Sequence, residues 1–80
     1  MPELVRFSGI RLCMYFGDHL PPHFHVEYGE YKALIGIQDG ALIRGKFPRR
    51  KLQEVQTYLA ENRESLLETF FEFNPNLSNK

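Results

Sequence analysis

The chain changes its hydrophobic period once, at Phe47-Pro48, and that change limits the fold more than any other feature of it. Before it, Ile10, Leu12, Met14 and Phe16 alternate with Arg11, Cys13 and Tyr15, and Phe24, Val26 and Tyr28 alternate with His23, His25 and Glu27. Tyr31, Ala33, Ile35 and Ile37 continue the apolar set. A period of two puts apolar side chains on one face of a strand and polar ones on the other. After Pro48 the step lengthens to three or four through Leu52, Val55, Leu59, Leu66, Phe70 and Phe73, with one longer step across Asn62-Arg63. Half-buried strands and an apolar helix stripe bury each other by packing together. The expected fold is α+β: a three- to four-stranded antiparallel meander with one apolar face covered by one or two C-terminal helices.

The turns set the register. Gly29-Glu30 fits a two-residue hairpin with glycine at its first central position, which pairs Tyr28 with Tyr31, Val26 with Ala33, Phe24 with Ile35, and Glu27 with Lys32. Reading Gln38-Asp39-Gly40 as a three-residue loop with left-handed Gly40 sets Ile35 opposite Ile43 and keeps apolar on apolar. The first two strands are joined by Gly17-Asp18-His19-Leu20-Pro21-Pro22, whose prolines stay out of the ladder. Met14 must then face Phe24 or Val26. Met1 to Ser8 is either a short extra strand or a lead-in. Pro48 suits a first helical position. Asn62 either caps a second helix, giving helices over 48–61 and 63–73, or marks a bend in one, and the two-helix form is the expectation. Asn74-Pro75-Asn76 ends the pattern.

At 80 residues with a hydrophobic fraction of 42%, the chain reads as a single domain, 1–80. Within it the sheet takes about 4–47, the helical part about 48–73 and a mobile tail about 74–80. One cysteine, Cys13, allows no internal disulfide, and no apolar run or leader pattern stands out, so a cytoplasmic protein is expected. The net charge is zero, yet residues 1–51 carry +3 and residues 52–80 carry −3. That polarity suits a polyanion on one side without demanding one. The acids of the second half (Glu54, Glu61, Glu64, Glu68, Glu72) read as a solvated helix face. Phe71 exceeds what one stripe can bury and is expected at an interface, which leaves a homodimer open.

Chemistry must come from the sheet's other face, which the alternation loads with Arg11, Cys13, Tyr15, His23, His25, Glu27, Lys32, Arg44 and Lys46. His23 and His25 flank Phe24 and so share a face, about 7 Å apart at Cα from the strand rise. As ordinary strand residues they would be half-exposed and hydrogen-bonded to the Pro-Pro loop. As metal ligands they would recruit His19 and Asp18, a weak pattern that lacks the second half of a known zinc spacing. No metal and no cofactor is expected. With Tyr15 beside them and Arg11 or Arg44 on phosphate, they have the equipment of a metal-free ribonuclease, so His23, His25 and Tyr15 are the candidate catalytic residues. Gly45 to Lys51 forms a second constellation, in which Lys46, Arg49, Arg50 and Lys51 meet the free amides of a helix start, a plausible anion site or a solvated basic turn partly neutralised by Glu54. Arg11, Arg44, Lys46, Arg49, Arg50 and Lys51 are the candidate RNA contacts.

Asp18-His19-Leu20-Pro21-Pro22-His23-Phe24-His25-Val26 resembles the D-H-x-P-P-H-F-H-V motif of the bacterial domain-of-unknown-function family 4160. The start Met-Pro-Glu, Tyr28-Gly29, and Gly45-Lys46-Phe47-Pro48-Arg49-Arg50, with Phe47 where leucine is usual, extend the likeness to about the second helix. The resemblance implies a small binding component of a two-gene, toxin–antitoxin-like module. Its partner would be a small protein encoded alongside, with RNA contacted through the polar face. The alternatives are a metal-binding module on the His-x-His motif and a pure protein-interaction domain.

Overall fold

The structure is a computed structural model and describes residues 3–15 and 20–77. It is α+β, with a five-stranded antiparallel meander in the order β1 (Glu3–Phe7), β2 (Ile10–Cys13), β3 (His23–Tyr28), β4 (Tyr31–Gly36) and β5 (Leu42–Gly45). One helix, α1 (Arg49–Phe73), covers its apolar face. The N-terminal segment is thus a fifth strand rather than a lead-in. Ser8 (φ 54°) and Gly9 (φ 78°) turn it tightly back onto Ile10, both in the left-handed region that two-residue hairpins favour.

The expected β3–β4 register holds at Phe24 and Ile35, Val26 and Ala33, Glu27 and Lys32, and Tyr28 and Tyr31, with Gly29 left-handed at φ 59°. In β2 and β3, Leu12 pairs with Val26 and Cys13 with His25, which sets Met14 level with Phe24. Ile10, Leu12, Met14, Phe24, Val26, Ala33, Ile35 and Ile37 meet Val55, Leu59, Leu66 and Phe70 of the helix in one core. Each fully buried large apolar side chain contributes roughly 1.5–3 kcal/mol over its exposed state.

Two expectations are corrected, the register of β5 and the place of Pro48. Gly40 is left-handed as expected (φ 72°), but the ladder pairs Ile35 with Leu42 and Leu34 with Arg44, so Ile43 is the extra residue of a bulge and does not face Ile35. The turn holds itself differently from a three-residue loop: the Gly36 amide donates to the Ala41 carbonyl, and the Gly40 amide to the Gly36 carbonyl. The helical part runs over Arg49–Phe73 as two helical segments that meet at a kink at Asn62, whose φ of −132° leaves the helical region, close to the two-helix expectation. There the Asn62 side-chain amide donates to the Tyr58 carbonyl at 2.9 Å, closing a turn that the bend opens. Pro48 stands one place earlier than expected, as N-cap, and its carbonyl accepts the Leu52 amide.

Side chains pin the helix to the sheet's loops. Lys51 donates to the Ser8 carbonyl (2.9 Å), Gln56 to the Gly40 carbonyl (2.9 Å) and Arg63 to the Ile37 carbonyl (3.0 Å). At the C-terminal end Asn74 is buried and donates to the Tyr15 carbonyl (3.2 Å), and Pro75–Leu77 form a short 3-10 turn with Leu77 against the core. Asn74 and Leu77 thus pack while Pro75 and Asn76 are exposed, and residues 78–80 lie outside the described residues. Phe71, expected at an interface, is half-buried against the core and meets the Phe70 ring edge to face. Among the described residues no helix is long and apolar enough to cross a membrane.

Candidate functional site: the outer face of the sheet

The face away from the helix is built by the second set of alternating residues. Arg11, Cys13, His25, Leu34 and Arg44 stand on adjacent strands through the Cys13–His25, His25–Leu34 and Leu34–Arg44 pairs. This face is less uniformly polar than the alternation suggests. Cys13 is fully buried in it, His23 is 3% exposed, and Leu34 and Ile43 interrupt it.

His23 belongs to the packing. Its Nδ1 lies 2.8 Å from the Pro21 carbonyl oxygen, which only accepts, so Nδ1 carries the proton and Nε2 is the acceptor in the neutral ring. Its ring lies 5.7 Å from that of Phe70 and 5.4 Å from that of His25. The expected bond to the Pro-Pro loop is therefore present, but with a buried rather than half-exposed ring. His25 is half-buried, with the edge of Tyr15 at 4.4 Å between centroids. Burial pushes the Tyr15 phenol up from its ordinary value, and burial likewise pushes the Cys13 thiol up. Neither group is a ready anion near neutral pH, which counts against a nucleophilic Cys13 and against Tyr15 as a base.

The cations divide into two kinds. Arg11 is neutralised: Nε lies 3.0 Å from Glu3 and Nη1 2.9 Å from Glu27. Arg6 also meets Glu3, at 2.9 Å. Hydrogen bonds from Arg6 and then Arg11 lower the Glu3 carboxyl to about 2. Because Glu27 turns to Arg11, the cross-strand neighbour Lys32 is left without an ion pair among the described residues, as are Arg44, Lys46, Arg49 and Arg50. Lys51 is occupied by the Ser8 carbonyl, the Tyr28 ring (4.8 Å) and, more distantly, Glu54 at 3.8 Å.

Between these groups runs an open groove of about 450 Å³, floored by the β3–β4 backbone. Tyr15 and His25 form one wall, with Glu27 along it, and Lys32, Leu34 and Arg44 form the other. Of the expected site residues, Tyr15, His25 and Arg44 come together here and His23 lies just behind. Arg11 is held aside, and Arg49, Arg50 and Lys51 belong to the helix start beyond Lys46. Asp18 and His19 lie outside the described residues, and among the described residues no three of His, Cys, Asp and Glu group as a metal site would. Lys32 and Leu34 were missed as site residues although the alternation that points Ala33 and Ile35 inward points both outward. Ile43 had no such signal, because the bulge displaces it.

The profile of one family, described as domain of unknown function (DUF4160), matches residues 9–70. No curated protein and no solved structure matches the chain.

Proposed function

The chain belongs to the DUF4160 family, and from the geometry of its outer sheet face we propose that it is a binding component that holds single-stranded RNA by its phosphate backbone. The observation that carries this is the unpaired Lys32 and Arg44 along one wall of a groove whose other wall presents the Tyr15 and His25 rings beside Glu27, itself neutralised by Arg11. Phosphates attract such cations without regard to sequence, and exposed bases stack on rings. Lys46, Arg49 and Arg50 continue the positive charge past β5 into the first helical turn, which contains no acid. The role fits the binding half of a two-gene module, as the family resemblance implies.

Cleavage is the lesser reading. His23 is buried with its Nδ1 proton committed to Pro21, which leaves His25 as the one histidine of the described residues that lines the groove. Acid–base cleavage of RNA uses two proton-transfer groups, and the Tyr15 phenol, raised by burial, is a poor base.

The test is fluorescence anisotropy with a labelled oligouridylate against the wild type, Lys32→Ala/Arg44→Ala and Arg6→Ala. The groove variant should bind roughly tenfold more weakly or worse, as expected when two phosphates go without their cations, while Arg6→Ala should match the wild type. No binding at low salt, or equal binding by all three proteins, would refute the RNA reading. Intact oligonucleotide at the end of the titration separates binding from cleavage.

A further inference from the structure

The β5 bulge moves Ile43 from where alternation would put it, and the displacement builds a surface. As the extra residue of the β5 bulge it lies over Gly36, where a Cβ would stand 3.6 Å from the Ile43 Cδ1. Ile43 remains 47% exposed and Leu20 is 51% exposed. With Pro21, His23, Leu34 and Arg44 they line a small cavity of about 110 Å³, a space suited to one aliphatic side chain. The strand beneath is an edge, since among the described residues β5 pairs with β4 alone. The opposite edge, β1, bears the Glu3 ion pairs with Arg6 and Arg11, and charge on an edge discourages strand addition. β5 instead shows Leu42 and Ile43.

We propose that the β5 edge docks an extended segment of a partner protein that carries an apolar side chain and acidic ones at every second position, on one face. An apolar side chain enters the Leu20–Ile43 cavity, and carboxylates meet Arg44 and Lys46. Charge selects this occupant. Arg44 at the cavity and Lys46 just past the strand are exposed and have no ion-pair partner among the described residues, so an acidic segment gains where a basic one is repelled. A second copy is the poorer fit, because a two-fold contact sets the same surface against itself and would face this cationic edge with its own image. The bulge keeps any added ladder short, so the apolar side chain and the ion pairs carry more of the affinity than main-chain bonds do. This goes beyond the RNA reading. It shares cations with it but not Leu20 and Ile43, and those apolar residues separate the two.

The experiment pans a random peptide library on the intact protein and titrates an enriched peptide against the wild type, Leu20→Ser, Ile43→Ser and Arg44→Ala. Enriched sequences should carry an apolar residue with acidic residues two positions away on either or both sides. Ile43→Ser and Leu20→Ser should each weaken the peptide by roughly tenfold while leaving oligouridylate affinity within about twofold and the melting temperature near that of the wild type. Arg44→Ala should weaken both ligands. The docking proposal is overturned if no sequence is enriched, if enriched sequences are basic, or if the peptide is indifferent to Ile43→Ser. It is also overturned if sedimentation shows a dimer that Ile43→Ser dissolves. Loss of RNA binding alone, with peptide binding intact, would count against the RNA reading and leave the docking site standing.

Discussion

His23 and His25 stand two residues apart on one strand face and still do different work, because the surroundings of each ring decide its chemistry. His23 is closed in by Pro21 and Phe70, whereas His25 lines the groove beside Tyr15. The alternation located both rings on the outer face. The bond to the Pro-Pro loop, two residues away, was legible as well, but alternation could not show that the end of the helix would close over one ring, since the His23–Phe70 contact joins segments far apart in sequence. Cys13 follows the same logic. Burial raises its thiol, so the native protein should resist iodoacetamide at mildly alkaline pH and react fully once unfolded, as thiol labelling followed by mass spectrometry will show. On the core face, Val26 is fully buried between Leu12 and Ala33, so Val26→Asp places a charge without a partner and should cost about 3 kcal/mol or more in denaturant unfolding. Glu3 makes the acid side of the stability curve testable. Its carboxyl is lowered from 4.5 to about 2 by Arg6 first and Arg11 second. A lowered carboxyl stabilises the folded chain above its ordinary value, and that contribution fades as pH falls through the folded one. The wild type should therefore melt above Glu3→Gln at neutral pH and converge with it as the pH drops from 4.5 toward 2. Salt should shrink the gap, because the pair is exposed.

Among the elements, those with local signals were the legible ones. The β3–β4 hairpin follows from Gly29 and the alternating residues around it, and its register held at every residue pair expected of it. The helix stripe likewise names Val55, Leu59, Leu66 and Phe70, all buried. β1 was readable in principle, since Ser8-Gly9 is a tight-turn dipeptide ahead of an apolar start, but its weak alternation left it open. β5 was readable as a strand but not in its register. Its four residues are all exposed, and its bulge answers to backbone geometry across the ladder rather than to any pattern within it. Gly45 is the fixed point of that geometry. At φ 93° it has a backbone few other residues adopt, and a Cβ there would collide with the Lys32 carbonyl. Gly45→Ala should thus destabilise the protein by roughly 2 kcal/mol or more and loosen β5 before the rest of the sheet, which hydrogen exchange will report as reduced protection at the Lys46 amide. Asn62 stands out in the sequence as a capping position. Two helical segments meet there, and Arg63 anchors the second to the Ile37 carbonyl, on the same core.

For the whole molecule, the uneven charge along the chain becomes an arrangement in space. The cations left unpaired lie on the outer face and at the helix start, while Glu61, Glu64, Glu68 and Glu72 are exposed on the helix. Charge totals foretold two sides but not which cations remain available, because Arg11 and Lys51 are consumed by contacts between distant segments. The RNA reading stands on Lys32 and Arg44 meeting phosphate, and counterion release reports such neutralised phosphates directly. The measurement is affinity for an oligouridylate across a salt series, made on the wild type, on Lys32→Ala/Arg44→Ala and on Arg49→Ala/Arg50→Ala. For a single strand, each phosphate that a variant no longer neutralises should flatten the slope of log affinity against log salt by about 0.7, so the groove variant should flatten it by about 1.4. The helix-start variant should flatten it less, because Arg49 and Arg50 stand beyond Lys46 and outside the groove. A wild-type slope near zero, or a slope unchanged in the groove variant, would contradict the account.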